Sequence, residues 1–327
     1  PFSSTPPSAV AVDHVPYDIE LRGLDAAPGT IDAMALRDLL DAMIDASGRV
    51  LRLSVEGTST RRGRKPDWMT DSTRFLITGL QEGSTIFPIE APLLSETAKE
   101  AVQQQDLWRS KPNGEWTALT LLGDALADVS ADDRESPRYD SGVLSAIESF
   151  RRVIENGETL RLRNKNTGEV AFDVKRTHIQ QAQRLKQETP PPFSVVLSGR
   201  LDVIGYSQRS FKLKTETGDT IRGVVQSTEI DAEKLGNLWS EEVTVQGQAH
   251  FTPGGSLRFV DARALRSAQT EDEFFNQSKT EIEEEAAEKQ PLSERDLSEF
   301  DAGADIKKIR GTWPGDESID DILGALD

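Results

Sequence analysis

The sequence predicts an α+β N-terminal domain, then a small five-stranded OB-like β-barrel, then an acidic, partly helical C-terminal tail. Three observations carry this reading. Up to Thr189, strand-like runs come in pairs and helix-like runs in succession, the pattern of a segregated α+β fold. Pro190-Pro191-Pro192 then forms a stiff extended spacer that no helix continues through, and beyond it the apolar periodicity becomes that of strands. Finally, the segment 267–327 holds 18 Asp/Glu against 6 Lys/Arg, a net −12 out of −18 for the whole 327-residue chain. Charge so concentrated marks a tail rather than a uniformly acidic globule. The expected division is a flexible arm 1–14, the α+β domain 15–189, the Pro linker 190–192, the barrel 193–266 and the tail 267–327.

In chain order, Pro16 to Leu24 alternates apolar and polar residues as a half-buried strand does. Pro28-Gly29 turns the chain and Thr30 opens a helix, with Ile31, Met34, Leu39, Met43 and Ile44 near helical spacing. Past Gly48, the run Val50, Leu51, Leu53, Val55 reads equally as helix to about Glu56 or as a new strand. Arg74 to Leu80 and Thr85 to Ile89 flank Gln81-Glu82-Gly83-Ser84 as a hairpin. Helices are expected over Ser95–Gln105, Leu119–Asp128, Gly142–Asn156 and Thr177–Glu188, with a second hairpin from Thr159 to Lys175 between the last two. After the prolines come five strands: Ser194–Tyr206, Ser210–Glu216, Asp219–Ser227, Glu242–Thr252 and Ser256–Leu265. A short helix, Thr228–Leu238, separates the third from the fourth, which is the order of an OB-like barrel. In the tail, Thr270 and Glu273 are spaced as a capping box for a helix to Lys289.

Composition narrows the chemistry. No apolar run is long enough to span a bilayer and the chain opens on a Ser/Pro-rich arm, so neither membrane insertion nor a secretion signal is expected. The absence of Cys removes disulfides and thiolates and suits the cytoplasm. His14, His178 and His250 stand in unrelated contexts with no ligand-like neighbours, so they read as solvent or packing residues and no metal or cofactor is expected. No phosphate-binding or nucleophile-elbow motif occurs, and no catalytic residue is nominated.

Two surfaces invite a partner. Arg61, Arg62, Arg64 and Lys65 crowd around Gly63, and Arg62-Gly63-Arg64 resembles the core of an AT-hook. Arg151, Arg152, Arg161, Arg163, Lys165, Lys175 and Arg176 would widen that basic face into phosphate contacts. A nucleic-acid-binding protein using this loop and the barrel is therefore one reading, and a loop simply solvated or docked on acidic residues is another. The sparse barrel aromatics Tyr206, Phe211, Trp239, Phe251 and Phe259 fit a structural or homo-oligomerising barrel at least as well.

The second surface is the C-terminus. Trp313 lies between Gly311-Thr312 and a Pro314-Gly315 turn, and Asp316-Glu317 follow. Ser318 can cap a two-turn helix whose Ile319, Ile322, Leu323 and Leu326 share one face. So short a helix is unstable alone in water, so Trp313 and this face require burial against a partner or against the chain's own barrel. The ending Trp313-Pro314-Gly315-Asp316-Glu317, with Asp320-Asp321-Ile322-Leu323 behind it, resembles that of bacterial antitoxin-like proteins accompanying PIN-domain (VapC-type) ribonucleases. The resemblance implies that the tail binds and inhibits such a nuclease. Asp316 and Glu317 would meet its RNA-binding basic rim, and Trp313 would anchor the contact. Lys307, Lys308 or Arg310 would enter its metal-holding carboxylates, and the four apolar residues would lie in a groove.

Overall fold

The computed structural model describes residues 12–23, 30–61, 63–79, 86–99, 102, 112–154, 158–205, 210–225, 236–269, 272 and 276–290. The chain forms two compact units, Pro1–Gln290 and Pro291–Asp327, and every described residue belongs to the first. That unit holds an α+β lobe and a closed barrel. Among the described residues no helix is long and apolar enough to cross a membrane.

The α+β lobe is built on β1 (His14–Arg22), whose alternation buries Tyr17, Ile19 and Leu21 and turns Asp18 and Glu20 to the other face. β1 pairs antiparallel with β3 (Ile86–Pro92) on one side and β4 (Thr159–Asn164) on the other. β2 (Leu76–Ile77) and β5 (Val170–Val174) complete the order β2-β3-β1-β4-β5. The expected first hairpin is thus present, although its described first strand is only two residues long and 80–85 lie outside the described residues.

Helices α1 (Ala33–Glu56), α4 (Ala118–Ser130), α5 (Ser141–Ser149) and α6 (Arg176–Glu188) share one apolar core with the sheet. The open choice after Gly48 resolves as helix. Asp32, rather than Thr30, caps α1 by accepting from Met34 N at 2.8 Å, and Gly57 ends it in the left-handed conformation with its N–H on Leu53 O. Gly48 costs helix propensity, about 1 kcal/mol, but its bare Cα admits Met69, whose Cε would stand 3.0 Å from a Cβ there. Asp67–Ser72 and Leu94–Thr97 are short helices, α2 and α3. Of the expected helix to Gln105, α3 and the helical residues Lys99 and Val102 are described, the latter's N–H donating to Ala98 O, while 100–101 and 103–111 lie outside the described residues.

The barrel uses β6 (Phe193–Gly205), β7 (Ser210–Lys214), β8 (Thr220–Val225), β9 (Glu242–Phe251) and β10 (Leu257–Ser267). β6 is long enough to pair with β9 through residues 193–200 and with β7 through 200–205. β7–β8 and β9–β10 are antiparallel, and a parallel β8–β10 ladder closes the circuit.

Thr270 and Glu273, the expected capping box, lie outside the described residues, and the described helix is capped by Ser278 and Glu281. Ser278 Oγ accepts from Glu281 N at 3.2 Å, the Glu281 carboxylate accepts from Ser278 N at 2.7 Å, and α7 runs Lys279–Lys289. Just ahead of it Asn276 and Gln277 are tied to β6 by hydrogen bonds. Gln277 N donates to Val196 O, and Ser198 N donates to Asn276 Oδ1 at 2.8 Å. From there α7 buries Ile282 and Ala286 in the barrel core.

Asp272 fastens this last stretch. It accepts from Thr244 Oγ1 at 2.7 Å, Gln269 N at 2.9 Å and Arg266 Nη1 at 2.8 Å. Those bonds, Arg266's foremost, bring its carboxyl down to about 2 from 3.8. A depressed carboxyl adds stability above its unfolded pKa and loses it as pH falls through the folded one. Asp272→Asn should therefore melt below wild type at neutral pH, with the gap in Tm narrowing as pH falls from 3.8 towards 2. A gap that stays constant across that window contradicts the assignment.

Candidate functional site

The partner-binding residues nominated from the sequence, Lys307 to Leu326, lie outside the described residues, as do Arg62 and Tyr206. The rest of the basic loop is placed, and carboxylates reach it. Arg61 lies 3.6 Å from Glu56, which already pairs with Arg52 at 3.2 Å inside the last turn of α1. Arg64 pairs with Asp67 at 2.9 Å, while Lys65 is exposed.

The strand cations behave alike. Arg161 is bidentate to Asp173, Arg163 reaches Glu20 at 3.3 Å, Lys165 reaches Asp18 at 3.4 Å, and Lys175 reaches Asp173 at 3.8 Å. Arg161's hydrogen bond holds the Asp173 carboxyl below its ordinary range. On the outward sheet face these cations thus stand beside carboxylates rather than forming a purely basic strip. Arg151 and Arg152 are exposed at the end of α5.

Histidine and serine chemistry resolves into structure. His250 stacks on Phe259 with centroids 4.5 Å apart, and burial lowers its pKa, opposed by Asp140. Asp140 caps α5 through Val143 N and accepts from both Ser59 Oγ and Ser59 N, the latter at 2.9 Å. The serine is bonded to the carboxylate directly, so Ser59, Asp140 and His250 do not have the connectivity of a nucleophile–base–acid relay. Among the described residues no three His, Cys, Asp or Glu side chains are grouped to hold a metal ion.

What the fold does bring together is a cleft between the lobes. It has a volume of about 480 Å³ and is lined by Leu53, Trp116 and Pro137 on apolar stretches, by Asp124 and Glu135, and by Arg138, Arg222 and Arg258. Its floor is the α4–α5 loop, into which β10 sends Arg258. That guanidinium donates to Pro137 O at 2.8 Å, Ser136 O at 3.3 Å and Tyr139 O. Thr252 Oγ1 donates to Glu135 Oε2 at 3.1 Å, and Gln290 Nε2 bridges Pro253 O and Glu188 O. The loop is braced from its own side, with Ser136 Oγ on Asp128 and Arg138 paired to Asp128 at 2.8 Å.

Sequence reasoning missed this cleft because its cations come from two separate strands and a loop with no shared motif. A signal was nonetheless present in β8, where Gly223 follows Arg222. Phe211, directly opposite Gly223, lays its ring where a side chain would be, and a Cβ on Gly223 would stand 2.0 Å from Phe211 Cζ. Phe211, Phe251 and Phe259 are all core residues, and among the described barrel aromatics nominated from the sequence Trp239 is the exposed one, at 62 %. Comparison with known proteins finds no matching family model, no matching curated protein and no matching solved structure.

Gly223→Ala should cost about 1–3 kcal/mol of stability by overpacking. Phe211→Leu on that background should recover part of the loss, a non-additivity readable by urea unfolding of the four-member cycle. Strictly additive effects contradict the ring-on-glycine contact.

Proposed function

We propose that the protein is a non-enzymatic, cytoplasmic binding protein whose acidic C-terminal segment engages and inhibits a PIN-domain ribonuclease, in the manner of the antitoxin-like proteins its ending resembles. The supporting observation is the division of the chain. The first compact unit ends at Gln290, and the segment with the Trp-Pro-Gly-Asp-Glu ending forms a second unit. Trp313 serves as the anchor, Asp316 and Glu317 as the acidic contacts to a basic rim, and Ile319, Ile322, Leu323 and Leu326 as the groove-filling face. Lys307, Lys308 and Arg310 supply the positive charge for the nuclease's carboxylates. The preceding lobes act as a scaffold. We read the barrel as OB-type, a reading supported by the β6–β7–β8 meander and the parallel β8–β10 closure. The nucleic-acid reading through the Arg61–Lys65 loop is the weaker one, since Arg61 and Arg64 already face carboxylates.

The test is co-purification with a PIN-domain nuclease encoded beside this chain. Removing residues 309–327 should abolish binding while the thermal melt of the body stays unchanged. Trp313→Ala should weaken binding by about thirtyfold or more, as loss of an anchor of at least ~2 kcal/mol does. Undiminished capture of the nuclease by the truncated chain overturns the proposal.

A further inference from the structure

The outer wall of the barrel gathers four cations from four elements. Lys212 on β7 and Arg222 on β8 are register partners across an antiparallel pair. Strand alternation sends Phe211, Leu213 and Ile221 into the core and turns these two outward. Arg258 arrives from β10 and Lys279 from the first turn of α7, and with Thr220, Ile221 and Leu257 they line a depression of about 270 Å³. Among the described residues no carboxylate lines it, in a chain of net charge −18.

These are not idle charges. Lys279 lies 3.6 Å from Glu283, Lys212 and Arg222 each make polar interactions of their own, and Arg258 holds the α4–α5 loop. The notable feature is convergence. Like charges directly opposite on a sheet are unfavourable. Burial pulls the Arg258 guanidinium below its ordinary pKa; Asp140 opposes this, and Arg222 adds to it. On the sheet of the other lobe the outward cations pair with carboxylates on neighbouring strands, whereas here cation is set beside cation around a hollow.

The hollow also has a neighbour. Arg222 and Arg258 line both it and the inter-lobe cleft, whose volume of about 480 Å³ lies in the range of small-molecule sites. Trp116 and Pro137 give that cleft flat apolar surface. A long polyanion would approach against the net charge of the whole molecule, whereas a compact anion feels chiefly the local cations.

We propose that this wall and cleft bind a small phosphate-bearing ligand. Its phosphate lies against Lys212, Arg222 and Lys279, and its uncharged remainder lies in the cleft beside Trp116. Arginine and lysine together suit such a group, the first by its planar pair of donors and the second as a point charge. The inference stands apart from the C-terminal segment and from any nuclease partner.

Calorimetric titration of the full chain with inorganic pyrophosphate, AMP and a short oligothymidylate tests it. Saturable binding of pyrophosphate and tighter binding of AMP are expected. Arg222→Gln and Lys212→Gln should each weaken AMP about tenfold or more, as loss of one charge-assisted contact does. Trp116→Leu should weaken AMP while leaving pyrophosphate unchanged. Lys214→Gln, an exposed cation on the same strand, should change neither. Thermal melts identify any variant that fails to fold, and Lys212→Gln, at a partly exposed position, carries the test if Arg222→Gln does. Absence of saturable binding to both pyrophosphate and AMP overturns the proposal. So does equal weakening by Lys214→Gln, which would indicate net charge alone. AMP binding no tighter than pyrophosphate overturns the placement in the cleft, and oligothymidylate binding tighter than AMP assigns the wall to nucleic acid instead.

Discussion

One guanidinium makes three of the hydrogen bonds that join the two lobes of the body. The α4–α5 loop turns the carbonyls of Ser136, Pro137 and Tyr139 towards the barrel, where regular secondary structure offers them no partner, and Arg258 donates to all three. The bonds to Ser136 O and Tyr139 O are partly buried and that to Pro137 O is exposed, so the arginine's contribution lies mainly in the first two. Tyr139 adds rigidity. Its ring is fully buried, its phenol donates to Asp133 O, and burial together with the nearby Asp133 pushes its pKa far up, so it remains a neutral donor at any ordinary pH. The cleft is therefore a fixed feature of the body, because its floor and one wall are the residues that make the joint.

The distribution of charge follows from how each element is exposed. On the five-stranded sheet, one face is given to the core and the other to solvent, and cross-strand neighbours there pair oppositely, Arg161 with Asp173 and Arg163 with Glu20. In the loop after α1, Glu56 sits against Arg52 and Arg61 in a largely buried cluster, so that part of the basic loop has a structural use. The barrel wall departs from this rule. Its cations are brought together by register and by the route of α7, and that departure makes it the more informative surface.

The sequence was most legible where periodicity alone decides. The five barrel strands and the two hairpins follow from alternation bounded by turns, and the tight approach of Phe211 to Gly223 shows why the short β7 and β8 keep their register. It was less legible where side chains imitate backbone. Asn276 and Gln277 hydrogen-bond to β6 in place of a further strand, just ahead of the start of α7 at Lys279. The candidate site was hidden for a different reason. Arg138, Arg222 and Arg258 become neighbours only when a strand from one lobe meets a loop from the other, and long-range convergence leaves no mark in local spacing.

Helix α7 links these features mechanically. Its first turn carries Lys279 into the cationic hollow, and Glu283 accepts the N–H of Leu257, the residue beside Arg258. Ile282 and Ala286 then fix the helix in the barrel core, and Gln290 just past its end spans the seam to Glu188 O. An eleven-residue helix is about 16 Å long, rigid at that length when one face is buried. Lys279 at the hollow and Gln290 at the seam thus stand at the two ends of one packed helix.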